Sequence, residues 1–321
     1  MFRRLKCFTT LLILSLGVVM MAGCDGENEV TLTPGAQPPP AATPPPTPAP
    51  ETTPPPAETT QDTAWVFPEV IEGEPPTPLP WPLAEDVYER RPVLLQLTPL
   101  TPGEQLVILH TNKGDVKVRL FPQVAPLAVQ NFLTHAQNGF YDGLIFHRVI
   151  PGFMIQGGCS LGTGTGGGTI WGTGIGPEHN YDVWHFHGAL AMAQSGAPNS
   201  IGSQFYIVHS SSLDGGFRQM FQGALDGEIY EVMWESEDGR SLLVGDFYSR
   251  EFFEHFLEVG GTPFLDFPFN NSGPNFGHTV FGHVVTGMDV VDAIANVERN
   301  AYDRPLEDVI IERTSVLVYQ G

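Results

Sequence analysis

The chain has 321 residues and a formal net charge of −21, with 36 acidic residues against 15 lysines and arginines. This balance argues against nucleic acid as a partner and against electrostatic attraction to an anionic membrane surface. The length allows two domains, but the 30 prolines are spread unevenly along the chain. We therefore expect a single folded domain.

The N-terminus has the pattern of a targeting segment. Arg3, Arg4 and Lys6 precede an apolar run over residues 11–20 that is too short to span a bilayer as a helix. The tetrapeptide Met-Ala-Gly-Cys at 21–24 resembles the lipobox of bacterial lipoproteins. That resemblance implies cleavage before the cysteine and lipidation of its thiol. An ordinary signal peptide with an incidental cysteine is the alternative.

A proline-rich segment follows this leader. Twelve of the 30 prolines lie between Pro34 and Pro56, without one aromatic residue among them. Such a composition cannot bury enough apolar surface to offset the entropy cost of ordering. We therefore predict a leader over residues 1–23, a disordered tether over 24–85 and a folded domain over 86–321.

The three cysteines fit an anchored, extracytoplasmic protein. Cys7 lies in the predicted leader, and Cys24 is the predicted lipidation site through which the protein would attach to the cell membrane of a bacterium. Only Cys159 remains, so no internal disulfide is expected.

Ordered structure begins with a predicted hairpin. Apolar and alternating residues at 106–109 and 116–120 flank a turn at 111–115. A helix should follow, because Pro126 suits the first turn of a helix and Gly139 suits its end.

Short strands and a second helix fill the rest of the chain. The segments that predict them lie at 145–150, 153–156, 189–193, 205–208, 279–285 and 309–318, with the helix at about 288–296. Many short strands with two helices are typical of a closed barrel that is capped at its ends.

Four motifs in this order resemble those of cyclophilin-type peptidyl-prolyl cis-trans isomerases. They are FHRVIPGFMIQGG at 146–158, GALAMA at 188–193, GSQFY at 202–206 and HTVFG at 278–282. The resemblance covers about residues 106–318, and four linked motifs are far more specific than any one of them. It implies a mainly β fold, a closed eight-stranded antiparallel barrel capped by two α-helices, with a shallow site on one face.

The resemblance implies isomerisation of X-Pro peptide bonds, and the residues suit that chemistry. Rotation about a peptide bond faces a barrier of ~18–20 kcal/mol because resonance must be lost. A protein can lower it by holding the proline ring in an apolar pocket and aiming one fixed donor at the amide nitrogen, which gains a lone pair as the amide twists. Arg148 is the candidate donor, and Gln156 is expected to hold it. A structural ion pair is the alternative for Arg148.

Other site residues follow from the same resemblance. It assigns pocket lining to Phe153, Met154, Tyr206 and Leu265, contacts to the substrate backbone to Ala193, Gln194 and Gln204, and a border position to His278. Tyr206 stands where a phenylalanine is usual, so its hydroxyl needs a partner or solvent. Gln194 stands at the family's asparagine, but the expected contact uses its backbone amide. No cofactor and no metal are expected.

The last pocket wall has two candidate positions. The aromatic-Leu-Asp segment of the family aligns either with Ser212-Leu-Asp or with Phe264-Leu-Asp, and we choose Phe264 because it keeps the aromatic ring and lies nearer His278. Tryptophan at this wall favours cyclosporin binding in the family. The choice leaves a partly helical insertion at about 211–260, with Ser249 as a helix N-cap. Its aromatic face is expected to pack on the barrel, with partner binding as the alternative.

Three further features have simple interpretations. The run GTGTGG at 162–167 matches G-x-G-x-x-G, but no helix follows, so we expect a glycine-rich loop beside the active face. His179, His185 and His187 are expected to be loop histidines rather than metal ligands. Cys159 is expected to be partly buried and inert rather than redox-sensitive.

The sequence therefore predicts a peptidyl-prolyl cis-trans isomerase that accelerates the folding of exported proteins. Its expected partners are proline-containing exported polypeptides and, through the lipid at Cys24, the membrane; a monomer is expected. The alternative is a catalytically weak polypeptide-binding module or chaperone that uses the same groove.

Overall fold

The computed structural model describes residues 70, 72–73, 92–227, 232–235, 241–243, 248–266 and 277–321. The chain divides into two compact units, 1–58 and 59–321, and every described residue belongs to the second. The predicted leader, Cys24 and nearly all of the predicted tether lie outside the described residues. Within the described residues, no helix combines the length and the apolar character that a membrane crossing requires.

Eight antiparallel strands form one sheet. They are β1 (Gln105–Thr111), β2 (Gly114–Leu120), β3 (Arg148–Ile150), β4 (Met154–Gly157), β5 (Ala189–Met192), β6 (Phe205–Val208), β9 (Val280–Thr286) and β10 (Ile311–Val318). Neighbours follow the order β10-β1-β2-β9-β5-β6-β4-β3. Between β6 and β9, β7 (Val232–Glu235) and β8 (Ser241–Leu243) form a separate ribbon. The predicted hairpin is confirmed as β1 and β2.

The sheet is an open half-barrel, which corrects the predicted closed barrel. The two edge strands, β10 and β3, form no ladder with each other among the described residues. A single isolated bridge, between Ile145 and Ile310, joins the segments that precede them. The physical reason is the shortness of β3: Pro151 has no N–H to donate and Gly152 has a positive φ of 73°, so the strand turns after three residues.

Among the described residues, four α-helices accompany the sheet. They are α1 (Pro126–Gln137), α2 (Gly215–Leu225), α3 (Arg250–Val259) and α4 (Met288–Ala295). The helices α1, α3 and α4 were predicted, and their ends follow local signals. At α3, for example, the Ser249 hydroxyl accepts a hydrogen bond from Phe252 N at 3.2 Å, and Gly260 ends the helix with φ of 82°.

The helix α2 was missed by the sequence analysis. It begins after Asp214, whose carboxylate accepts hydrogen bonds from Gly216 N at 2.8 Å and Phe217 N at 3.1 Å. Its only fully buried residue is Phe221. Because glycine has a low helix propensity, tertiary packing of the Phe221 ring contributes much of the stability of this helix, which starts with two glycines.

The main core lies between the sheet and α1. Alternate residues of the hairpin, Val107 and Leu109 on β1 and Val116 and Val118 on β2, have no exposed surface, and neither has Phe132 on α1. The helix packs on β9 and β10, while α4 packs on β2, β3 and β4. This core supports the strands that carry the site residues.

A second apolar core, which we name the insertion cluster, joins the insertion to the segment before β5. Its buried members are Leu94, Tyr181, Trp184, Phe186, Leu213, Phe221, Tyr248, Phe252, Phe253 and Phe256. The rings of Trp184 and Phe252 are 4.8 Å apart, and those of Phe186 and Phe256 are 4.4 Å apart. The aromatic face of α3, predicted to pack on the barrel, packs in this cluster on α2 and on the segment before β5.

Candidate active site

Three neighbouring strands bring the candidate catalytic residues into one row. Arg148 on β3 pairs directly with Gln156 on β4, and Gln156 pairs with Tyr206 on β6. Directly paired residues of antiparallel strands point to the same face of a sheet. The tight turn after β3 sets this register, so that arginine and glutamine meet eight positions apart in the sequence.

A cavity of about 110 Å³ opens beside this row. It is lined by Arg148, Phe153, Met154, Gln156, Ala193, Gln194, Tyr206, Leu265 and His278. All nine are residues that the sequence assigned to the site. Its deep side is apolar, since Met154 is 2% and Tyr206 4% exposed. A small cavity of this kind suits one compact apolar ring.

Phe264 lies at the rim of this cavity rather than inside it. Its side chain is 43% exposed, and its ring centroid is 5.8 Å from that of Phe153. A short 3-10 helix, Pro263–Leu265, carries it, and His278 N donates to Leu265 O at 2.9 Å. The alternative wall lies elsewhere, because Leu213 packs in the insertion cluster.

Arg148 has an exposed side chain, and no hydrogen bond or ion pair to another described residue engages its guanidinium. Gln156 does not hold it as predicted. Instead, Gln156 Nε2 donates to Gln204 Oε1 at 3.0 Å. The arginine fork therefore remains available to a ligand in the cavity.

A second cavity, of about 390 Å³, adjoins the first and shares Gln156, Ala193 and Gln194 with it. Gly164 to Gly167 form one of its sides, and Gln204 lines this cavity but not the smaller one. The prediction of a glycine-rich loop beside the active face is confirmed.

Cys159 lies under this loop and is fully buried. Its Sγ accepts hydrogen bonds from Gly164 N and Gly166 N, each at 3.2 Å. Burial acts to raise the pKa of the thiol, but the backbone N–H groups that surround the sulfur lower it further, so the net pKa is below its usual value. The sulfur holds the loop in place.

The Tyr206 hydroxyl has the partner that the sequence analysis required. It lies 2.8 Å from His185 Nε2, and His185 Nδ1 lies 2.5 Å from Asp266 Oδ1. His185 lies in a loop, as predicted, but it has no exposed surface. Burial raises the pKa of Tyr206 well above its usual value, and the charge of Asp266 acts in the same direction.

Two buried histidines, His278 in the cavity lining and His147 next to Arg148 in the chain, are uncharged at neutral pH. Burial lowers the pKa of His278 to about 4, and the nearby His185 contributes to this shift. Burial likewise lowers the pKa of His147 to about 4, with contributions from Arg304 and Arg148. Arg148 is therefore the cation that faces the cavity. The described part of the chain contains no group of three or more His, Cys, Asp or Glu placed to hold a metal ion.

The profile of the family described as "Cyclophilin type peptidyl-prolyl cis-trans isomerase/CLD" matches residues 106–241 and 248–316. These segments make up more than half of the chain. The chain belongs to the cyclophilin-type peptidyl-prolyl cis-trans isomerase family. The matched segments include every predicted site residue except Cys24.

Two staphylococcal proteins are similar to this chain over nearly their whole length. One from Staphylococcus aureus (strain USA300), named "Putative peptidyl-prolyl cis-trans isomerase", is 41% identical over 214 residues, which cover 67% of this chain and 92% of the relative. A protein of the same name from Staphylococcus epidermidis is 39% identical with the same coverage.

A crystal structure of a cyclophilin-type peptidyl-prolyl cis-trans isomerase from Cryptosporidium parvum aligns with a TM-score of 0.47 and 26% identity. The alignment covers 67% of this chain and 99% of the parasite chain. A second crystal structure of that protein, in the presence of the dipeptide Ala-Pro, aligns with a TM-score of 0.45.

Sequence reasoning missed the roles of His185 and Asp266 in this cyclophilin-type site. They contact each other across 81 residues of sequence, a distance that no local pattern reveals. One signal was present: a tyrosine at a buried position where the family usually has phenylalanine requires a hydrogen-bonding partner.

Proposed function

We propose that this cyclophilin-type domain catalyses cis-trans isomerisation of X-Pro peptide bonds in polypeptides. The observation that carries the proposal is the position of Arg148: its unengaged guanidinium lines the same small cavity as the buried Met154 and Tyr206. An apolar recess and a cation beside it are the two elements that the reaction needs.

The proline ring of the substrate occupies the cavity over Met154 and Tyr206. Twisting of the X-Pro bond concentrates a lone pair on the amide nitrogen, and Arg148 donates a hydrogen bond to it. Because this lone pair is delocalised in both planar isomers, the donor stabilises the transition state more than either ground state. His278, uncharged at neutral pH, contributes no second charge that competes with Arg148.

A second candidate function is polypeptide binding with little catalysis. The adjoining cavity of about 390 Å³ favours it, because it is larger than the proline cavity and extends the groove along the glycine-rich loop. The two functions differ in whether bound peptide exchanges between isomers.

NMR exchange spectroscopy on a short proline-containing peptide separates these functions. We expect catalytic amounts of the protein to increase the cis-trans exchange rate, and we expect Arg148→Ala to abolish most of the increase. Peptide that binds, as seen from chemical-shift changes, without faster exchange would favour the binding module instead.

We also propose that the domain is a monomer, anchored by a lipid at Cys24 outside the cytoplasm, and that exported polypeptides are its substrates. The basic leader, the short apolar run and the cysteine at its end support this proposal. With a net charge of −21, the protein would gain little from anionic lipid headgroups, so a lipid anchor would have to supply the attachment.

A further inference from the structure

The segment before β5 alternates between two environments. Trp184 and Phe186 pack in the insertion cluster. Between them, His185 bonds instead to Tyr206, whose ring lines the proline cavity. Three consecutive residues therefore contact both the insertion and the candidate active site.

His185 is fixed on several sides. Its backbone N–H donates to the two carboxylate oxygens of Asp266 at 3.1 and 3.2 Å, and its ring Nδ1 lies 2.5 Å from the same carboxylate. Its carbonyl accepts a hydrogen bond from Thr262 N at 2.8 Å. The imidazole therefore has little freedom to turn.

Hydrogen bonds connect His185 to Asp266 on one side and to Tyr206 on the other. A carboxylate only accepts, so Nδ1 of His185 donates to Asp266. The Tyr206 hydroxyl lies 2.8 Å from Nε2 of the same ring and forms a hydrogen bond with it. The planes of the two rings lie within 13° of each other.

We propose that His185 and Asp266 are positioning residues that hold the Tyr206 ring at the floor of the proline pocket and so set the affinity for proline. The proposal rests on the proposed isomerase function. Neither residue lines the proline cavity, so each acts through Tyr206 rather than on the substrate.

This role predicts a particular kinetic pattern. The Tyr206 ring contacts the proline ring in both planar isomers and in the twisted state. A displaced Tyr206 ring therefore weakens the binding of all three states alike. Loss of uniform binding raises the KM and leaves kcat nearly unchanged. A general loss of folded protein would instead lower the apparent kcat.

A double-mutant cycle tests the proposal. Tyr206→Phe and His185→Leu are each expected to weaken the binding of a short proline peptide about threefold to tenfold, because a ring that is no longer held must be ordered when proline binds. The double variant is expected to bind no worse than the weaker single variant, because the same contact is already lost. The peptide Kd is measured by titration, and kcat by exchange spectroscopy.

A matched control exists in the core. The buried Tyr141 hydroxyl donates to Ser203 O at 3.1 Å, and Tyr141 lines neither cavity. Tyr141→Phe should therefore lower the melting temperature while the peptide Kd stays at the wild-type value. If His185→Leu does not fold, Asp266→Asn replaces it in the cycle with the same expected coupling.

Two outcomes would overturn the proposal: wild-type affinity in Tyr206→Phe, or single effects that multiply in the double variant. Either means that the hydroxyl does not position the floor. Failure of this proposal can be distinguished from failure of the isomerase function. If the wild type binds peptide without accelerating its exchange, the isomerase function fails, but the Kd values of the double-mutant cycle can still be measured.

Discussion

The side-chain amide of Gln156 donates to the side-chain oxygen of Gln204 at 3.0 Å. Gln204 in turn donates from its own Nε2 to the carbonyls of Gly164 and Gly166, each at 2.9 Å. This chain of hydrogen bonds connects the strand at the proline cavity with the loop that lines the larger cavity. Gln204 therefore holds the loop by its carbonyls, while Cys159 holds it by its N–H groups.

Gln204→Ala should release that loop. The two carbonyls lose their donor, so we expect faster hydrogen exchange at residues 163–167 and weaker binding of peptides that extend beyond the proline. Mass spectrometry of exchange measures the first effect. Gln222→Ala is the control, because Gln222 bonds only to Asp226 on the exposed side of α2. Unchanged protection of the loop would mean that the Cys159 contacts alone hold it.

Arg148→Ala should lower isomerase activity about 100-fold while the fold survives. A preorganised donor to a developing charge contributes ~10² or more to the rate, and the exposed Arg148 has no hydrogen bond among the described residues whose loss would destabilise the fold. Arg148→Lys should recover little, since an ammonium on a flexible stem does not keep the fork geometry. Exchange spectroscopy and circular dichroism on the same samples measure both effects. Near-normal turnover in folded Arg148→Ala would remove this residue from the mechanism.

Phe264→Trp should raise the affinity for cyclosporin. Phe264 is 43% exposed at the cavity rim, so a larger ring there adds apolar contact area and an N–H donor without disturbing the core. Ser212→Trp is the control, because its neighbour Leu213 packs in the insertion cluster. Calorimetric titration measures both variants. A gain only in the Ser212 variant would mean that the wall is misassigned.

Stability should fall in mild acid, in part because of His283. Burial lowers its pKa to about 3, and its Nδ1 accepts a hydrogen bond from Gln96 at 3.2 Å. Since the unfolded chain binds the proton with a pKa near 6.5, the unfolded state holds more protons between these values. Stability is therefore fully present above about pH 6.5 and is lost as the pH falls toward 3.

Urea unfolding at pH 7.5 and pH 5 measures this effect. Wild type should lose roughly 1 to 2 kcal/mol more than His283→Gln over this interval. Both proteins should still lose some stability, because burial also lowers the pKa values of His147 and His278 to about 4. Equal losses in the two proteins would mean that His283 accepts a proton without unfolding.

Cys24→Ser should abolish lipidation and leave uncleaved or released protein. The thiol is the only group that the proposed modification uses, and a serine hydroxyl does not replace it. Metabolic labelling with a fatty-acid analogue measures the modification. Equal label in wild type and variant would refute the lipid anchor.

Local signals accounted for most of the elements and for the row of site residues. Pro126, Ser249 and Gly260 mark helix ends by backbone chemistry that is visible in the sequence. The helix α2 was hard to predict because it starts with two glycines, which have low helix propensity, and because its stability depends on burial of Phe221. Whether the sheet closes depends on pairing between strands far apart in the chain, which periodicity does not specify.

The proline cavity was predictable because its residues come from short motifs on adjacent strands. The contacts of Gln156 were not, since the family pattern identifies the residue but not which neighbour its amide meets. Similarly, Asp266 was visible as part of an aromatic-Leu-Asp segment, but its partner His185 is brought to it by the fold.

The alternation at residues 184–186 bears on any attempt to shorten this protein. Trp184 and Phe186 are 1% and 0% exposed, and both rings pack against rings of α3. Excising residues 211–260 would uncover both rings, and the backbone of His185 would keep its hydrogen bonds to Asp266 and Thr262 but lose this packing on either side. A chimaera that exchanges this insertion with that of a relative would therefore have to transfer α2 and α3 together with residues 184–186. The helices and this segment pack in one cluster and depend on each other.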